Sequence, residues 1–125
     1  MTAKGHTAQL VAVVDDDESV RSALIPALQS AGLDAFGFSS AESFMGFDRL
    51  PEVGCVITDL KMPGMSGLEL QAKLRRDGYL IPIVFMTAHS VPEARSQAMA
   101  AGAIAYLVKP FDGNFLLETV RKIMQ

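Results

Sequence analysis

The sequence predicts an α/β fold: one parallel β-sheet with helices packed on both faces. Three observations lead there. Five short apolar runs rich in β-forming residues punctuate the chain. Segments of helical length separate them, the signature of repeated βαβ units. The strongest runs are apolar at consecutive positions, as in strands covered on both sides. Right-handed crossovers between such strands put helices on both faces.

The first strand is Leu10-Val-Ala-Val-Val14, which stops at Asp15, Asp16 and Asp17. A helix follows over Glu18 to Ser30, with Val20, Leu24 and Leu28 four residues apart and Gly32 as its stop. Asp17 is the expected cap of that helix, and Pro26 inside it predicts a kink or a displaced start. Leu33 to Phe38 is a weaker strand, and Ser40 to Leu50 a second helix, opened by the capping-box pattern Ser39-Ser-Ala-Glu42. Val53 to Thr58 is a third strand. Ser66 to Asp77 is a third helix, with Leu68, Leu70 and Leu74 near one face and Gly78 as its stop. Leu80 to Met86 is the fourth strand, and the alanine-rich segment Pro92 to Ala101, ending at Gly102, the fourth helix. Ala103 to Val108 is the last strand, and Asp112 to Met124 the last helix, carrying Phe115, Leu116, Val120 and Ile123.

The 125 residues suit one domain, residues 10–125, preceded by a polar leader, residues 1–9, that includes His6. Half the residues are hydrophobic and a fifth charged, the balance of a globular core. A net charge of −3 argues against nucleic-acid binding by this domain. The lone cysteine, Cys55, excludes an intrachain disulfide and fits a reducing cytoplasm; its apolar neighbours mark it as a small core residue. Leu10 to Val14 is too short for a signal peptide core or a membrane span.

In an open parallel sheet, ligands bind outside the carboxyl ends of the strands. The polar residues found there are Asp15 and Asp16 after the first strand, Asp59 after the third, Thr87 after the fourth and Lys109 after the fifth. Carboxylates ~4 Å apart repel by roughly 4 kcal/mol at a surface-like dielectric, so such a cluster takes up protons, a cation or a lysine. Hard oxygen donors at an open edge suit Mg²⁺. With Mg²⁺ and Lys109 to neutralise transferring oxygens, Asp59 can act as a nucleophile toward a phosphoryl group, and Thr87 can donate a hydrogen bond to it. Taken singly, these residues are ordinary caps and surface charges; their coincidence at four strand ends is the signal. Proline after Lys109 restricts that lysine's backbone to extended forms.

Four stretches carry a family resemblance: Val13-Val-Asp-Asp-Asp-Glu-Ser-Val-Arg21, Thr58-Asp-Leu-Lys-Met-Pro-Gly-Met-Ser-Gly-Leu-Glu69, Phe85-Met-Thr-Ala-His89 and Ala101-Gly-Ala-Ile-Ala-Tyr-Leu-Val-Lys-Pro-Phe111. In order and spacing they resemble the receiver domain of two-component response regulators, over about Leu10 to Met124. Gly67-Leu-Glu-Leu-Gln71 and the Phe-Xaa-Thr-Xaa-His run are most similar to the FixJ type, whose full-length members usually carry a C-terminal helix-turn-helix domain. The resemblance implies a flavodoxin-like (βα)5 doubly wound sheet of strand order 2-1-3-4-5. It implies Asp59 as phosphoacceptor, with Mg²⁺ held by Asp15, Asp16, Asp59 and the backbone carbonyl of Lys61. It implies Thr87 and Lys109 as phosphate partners, and Thr87 with Tyr106 as a switch pair in which Tyr106 turns inward when Thr87 moves.

The same resemblance implies a cytoplasmic phosphorelay protein that catalyses only its own phosphorylation and dephosphorylation. Its donor is a histidine kinase. An output domain or partner reads the face built from the fourth helix, fifth strand and fifth helix, with transcriptional control as the output; monomer and phosphorylation-dependent homodimer both stay open. The chain departs from the family at Ala88, where glycine usually follows the switch threonine, and at Ser90-Val-Pro-Glu93, where the proline opening the fourth helix is shifted by one residue; on partner surfaces, Arg95 stands where a small or apolar residue is common, and Pro26 is unusual in the first helix. Two other functions use the same residues. A Mg²⁺-dependent phosphohydrolase needs a second acid where this chain has Lys61. A pseudo-receiver, the same fold used as a constitutive binding module, would ignore both Mg²⁺ and phosphate.

Overall fold

A computed structural model describes residues 10–89 and 91–125. The polar leader, His6 within it, and Ser90 lie outside the described residues. Five parallel strands, β1 (Leu10–Val14), β2 (Asp34–Phe38), β3 (Val53–Asp59), β4 (Ile83–Thr87) and β5 (Ala105–Val108), form one sheet of order β2-β1-β3-β4-β5. Helices α1 (Glu18–Ser30), α2 (Ala41–Met45), α3 (Gly67–Arg76), α4 (Pro92–Ala100) and α5 (Gly113–Met124) connect and follow them. The expected fold class and strand order are those observed.

Every residue of β1 and of β4 is buried, because side chains of alternate parity feed two separate cores. Leu10, Ala12, Val14, Val56, Ile83 and Phe85 face one side, where they meet Ala41 and Phe44 of α2, Leu70 and Leu74 of α3 and Ala98 of α4. Val11, Val13, Cys55, Ile57, Val84 and Met86 face the other, against Leu28 of α1 and Leu116 and Val120 of α5. The absence of alternation in the sequence is thus the mark of a sheet sandwiched between two helical layers.

Element boundaries moved where local chemistry intervenes. The second helix is not Ser40 to Leu50: it ends at Met45, before Gly46, and a short 3₁₀ turn over Leu50–Glu52, with Pro51 at its start, leads into β3. Ser40 caps α2 by accepting the Ser43 N–H, so Ser39-Ser-Ala-Glu42 is not the capping box; Glu42 turns elsewhere. A full capping box stands instead at α3, between Ser66 and Glu69. The fourth strand starts at Ile83 and not at Leu80, which is 81% exposed in the preceding loop. α1 runs unbroken through Pro26, and Asp17 caps it through the Ser19 N–H as expected. The stops at Gly32, Gly78 and Gly102 all hold, each with positive φ.

α4 is the least committed helix. Ala98 is its one buried residue, and Val91 caps it without a side-chain hydrogen bond. The Gln71 side chain, itself buried on α3, donates Nε2–H to the carbonyl of Ala98 at 3.2 Å and ties the end of α4 to its neighbour.

Candidate phosphoacceptor site

The parallel ladder continues one residue beyond several strands and sets the site's geometry. Asp15 N–H donates to the Phe38 carbonyl (3.0 Å), Leu60 N–H to Met86 (3.2 Å) and Lys109 N–H to Thr87 (2.7 Å). These bonds tie the carboxyl end of β1 to β2 and those of β3 and β5 to β4, and the pairing of Val14 with Thr58 joins β1 to β3, so the residues that end the strands share one edge.

Carboxylate oxygens of Asp15, Asp16 and Asp59 lie within 4.8 Å of one another. Asp15 is wholly buried, Asp59 partly so, and Asp16 exposed, so the cluster opens to solvent on one side. Lys109 reaches over it: Nζ lies 3.1 Å from Asp15 Oδ2 and 3.3 Å from Asp59 Oδ2. Burial pushes the Asp15 carboxyl above its ordinary range, a shift opposed by the Asp17 N–H at 2.9 Å and by Lys109. For Lys109, burial works against the charge, but hydrogen bonds and attraction from Asp15 and Asp59 outweigh it and hold the ammonium above its ordinary value. Asp17 is outside the cluster's chemistry; its hydrogen bonds with Ser19 lower its carboxyl. The donor set is all oxygen, at an open edge, with net negative charge despite Lys109. These are donors that a small hard divalent ion such as Mg²⁺ prefers.

The loop after Asp59 folds back tightly. Lys61 N–H donates to Asp59 Oδ1 (3.3 Å), and Gly67 N–H to the Leu60 carbonyl (2.9 Å). A Cβ at Gly67 would collide with the Asp59 carbonyl oxygen, so only glycine lets α3 start this close to β3. The Lys109–Pro110 peptide bond is cis.

Thr87 is buried at the end of β4, and its hydroxyl is committed to the loop that follows. Oγ1 donates to the His89 carbonyl and accepts the His89 N–H, both at 3.1 Å. His89 itself is exposed at the rim and outside the acid cluster. Tyr106 is buried on β5. It is 7% exposed, packed under α4 beside Phe85, with the Arg95 guanidinium 5.6 Å from its ring centroid. Its hydroxyl is buried and has no hydrogen-bond partner among the described residues. The inward position expected to follow movement of Thr87 is thus occupied while Thr87 still holds His89. The Arg95 guanidinium over its ring and the tilted contact with Phe85 hold it there.

Two residues at the site went unnoticed in the sequence. Arg21, one turn into α1, donates Nη1–H to the Asp15 carbonyl at 2.7 Å and braces the acid-bearing loop. Glu42 accepts the Met65 N–H at 2.8 Å, 23 residues away in the chain. Arg21 is six residues from Asp15 and left no short-range signal; Glu42 was masked by its apparent place in a capping box.

Comparison with known proteins identifies the family and the fold. The sequence profile of the response regulator receiver domain matches residues 11–121. The transcriptional regulatory protein TdiR of Thauera aromatica is 39% identical over 117 residues, covering 94% of this chain and 52% of that protein. The transcriptional regulatory protein FixJ of Azorhizobium caulinodans is 39% identical over 111 residues, 89% of this chain and 53% of that protein. The chain therefore spans about half the length of these curated relatives. Among solved structures, a response regulator receiver protein from Pseudomonas putida superposes with a TM-score of 0.85 at 37% identity, covering 90% of this chain and 95% of that one.

Proposed function

This chain belongs to the response regulator receiver domain family, and from that premise we propose that it is a phosphoacceptor switch that takes a phosphoryl group on Asp59 from a histidine kinase. The observation that carries the proposal is Lys109 Nζ set between Asp15 and Asp59, beside a third carboxylate, at the carboxyl edge of the sheet. Asp15, Asp16, Asp59 and the carbonyl of Lys61 are the groups that would hold Mg²⁺. When bound, the ion supplies charge neutralisation for the transferring phosphoryl oxygens.

The chain's own residues do the rest. An Asp59 carboxylate oxygen attacks phosphorus; the bond from phosphorus to the donor imidazole nitrogen breaks, its electron pair leaves with the imidazole, and an acyl phosphate forms. Lys109, already 3.3 Å from Asp59, offers N–H donors to the new phosphoryl oxygens with little travel. Thr87 exchanges its bond to the His89 carbonyl for one to the phosphoryl group. The β4–α4 loop is then released, and α4, with one buried residue and no side-chain cap, is the element free to respond. Attack by water on the acyl phosphate resets the site, so the chain catalyses its own phosphorylation and dephosphorylation without turning over an external substrate.

The surface of α4, β5 and α5 exposes Val91, Met99, Val108 and Phe115, which suits recognition by an output domain or a partner. An open apolar groove of about 390 Å³ between α1 and the residues after β5, lined in part by Val20, Leu24, Pro110 and Phe111, adjoins Lys109 and suits the donor kinase. Control of transcription is the expected output, in a cytoplasmic setting; among the described residues no helix is long and apolar enough to cross a membrane.

The test is intact-mass measurement after incubation with Mg²⁺ and a small-molecule phosphodonor. Wild type should gain one phosphoryl group, and Asp59→Asn none. An unmodified wild type, or equal labelling of both proteins, refutes the assignment.

A further inference from the structure

Glu42 makes its side-chain hydrogen bond away from its own helix. Ser40 already caps α2, so the Glu42 carboxylate is not needed there. Its backbone is anchored on either side by Ala41 and Phe44, both fully buried in the core. From that fixed base it reaches the loop between β3 and α3 and accepts the Met65 N–H at 2.8 Å.

The loop is built to receive it. Gly64 has φ +78°, a conformation L side chains rarely adopt, and a Cβ there would stand 2.6 Å from Glu42 Oε2. Both ends of the loop are pinned by their own contacts: Lys61 N–H to Asp59 at the start, and the Ser66–Glu69 capping box with the Gly67–Leu60 bond at the exit. Glu42 supplies a restraint between those ends from an element that is distant in sequence.

We propose that Glu42 is a positioning residue: by holding Met65 it sets the curvature of residues 60–66 and so aims the Lys61 carbonyl toward the acid cluster. The inference rests on the phosphoacceptor reading, in which that carbonyl is a Mg²⁺ ligand. Groups that orient metal ligands without touching the metal commonly govern affinity by an order of magnitude or more. Glu42 acts in this way through the backbone.

Mg²⁺ titration of the whole chain, followed by the amide resonances of Asp59 and Lys61, tests the proposal. Glu42→Ala should weaken Mg²⁺ binding about ten-fold. Glu42→Gln, which keeps an acceptor oxygen for Met65, should recover most of the affinity. Phosphorylation of Glu42→Ala by a small phosphodonor should be slow at limiting Mg²⁺ and approach the wild-type rate at saturating Mg²⁺. Urea unfolding in chelator reports stability separately. A Glu42→Ala variant that loses stability but titrates like wild type overturns the positioning role and leaves the phosphoacceptor reading standing. A wild type whose resonances ignore Mg²⁺ overturns both.

Discussion

Replacing Asp15 by asparagine should make the metal-free protein more stable, although it removes half of an ion pair. Asp15 is wholly buried, with carboxylate oxygens of Asp16 and Asp59 within 4.8 Å and Lys109 Nζ at 3.1 Å. At an effective dielectric constant of about 20, each neighbouring carboxylate repels Asp15 by at least about 3.5 kcal/mol and Lys109 attracts it by about 5 kcal/mol. Water screens part of the share from exposed Asp16, so these charges nearly cancel, and the cost of burying the Asp15 charge is left over. That balance is the reason its carboxyl lies above the ordinary range, with burial the largest cause. The direction for stability follows. A carboxyl that holds its proton more tightly when folded stabilises the fold fully below its unfolded value near 3.8, and that contribution is lost as pH rises through the folded value. As pH rises the wild type loses that contribution, whereas Asp15→Asn stays neutral throughout. The variant should be more stable by about 1 kcal/mol, about 4 °C in melting temperature. The difference should shrink as pH falls toward 4. Melting in chelator and in Mg²⁺, at pH 7 and pH 4.5, checks this. An Asp15→Asn protein that melts below wild type in chelator at pH 7, or that keeps the full Mg²⁺-induced stabilisation, refutes the reasoning.

Three further outcomes are expected. Tyr106→Phe removes a buried hydroxyl that has no partner among the described residues and should raise unfolding stability by about 1 kcal/mol in urea; a loss of that size would mean the hydroxyl is satisfied. Lys109→Met leaves Asp15 and Asp59 without their counter-charge, so it should lower stability at pH 7 and lose less as pH falls, because the buried Asp15 carboxyl, raised above its ordinary value, takes up its proton more readily; a pH-independent deficit would point to packing alone. Cys55, fully buried with its thiol pushed up to about 12, should resist thiol reagents in the native state and react only on unfolding. Prompt labelling at pH 8 would contradict its place in the core.

The α/β class, the alternation of strands and helices, and the identity of the acids, hydroxyl and lysine at the strand ends are legible in residue order alone. Those are local properties. Unbroken runs such as Leu10 to Val14 mark strands covered on both faces, and glycines such as Gly32 and Gly78 mark helix ends, without reference to the rest of the chain. Competing local signals mislead at two places: Leu80 continues the apolar run of β4 but precedes Pro82, and Glu42 completes a capping-box pattern while Ser40 alone holds the cap.

Contacts between residues distant in sequence come into view only in the folded chain. It put Lys109 between two aspartates that lie 94 and 50 residues away in the chain. It brought Arg21 to the Asp15 carbonyl and Glu42 to the loop behind Asp59. It also set Tyr106 inward under Arg95 while Thr87 still holds His89. Residue types reveal which chemistry is available. Which donor meets which acceptor is settled by sheet register and helix packing, because a side chain's partner is chosen by distance in space and not along the chain.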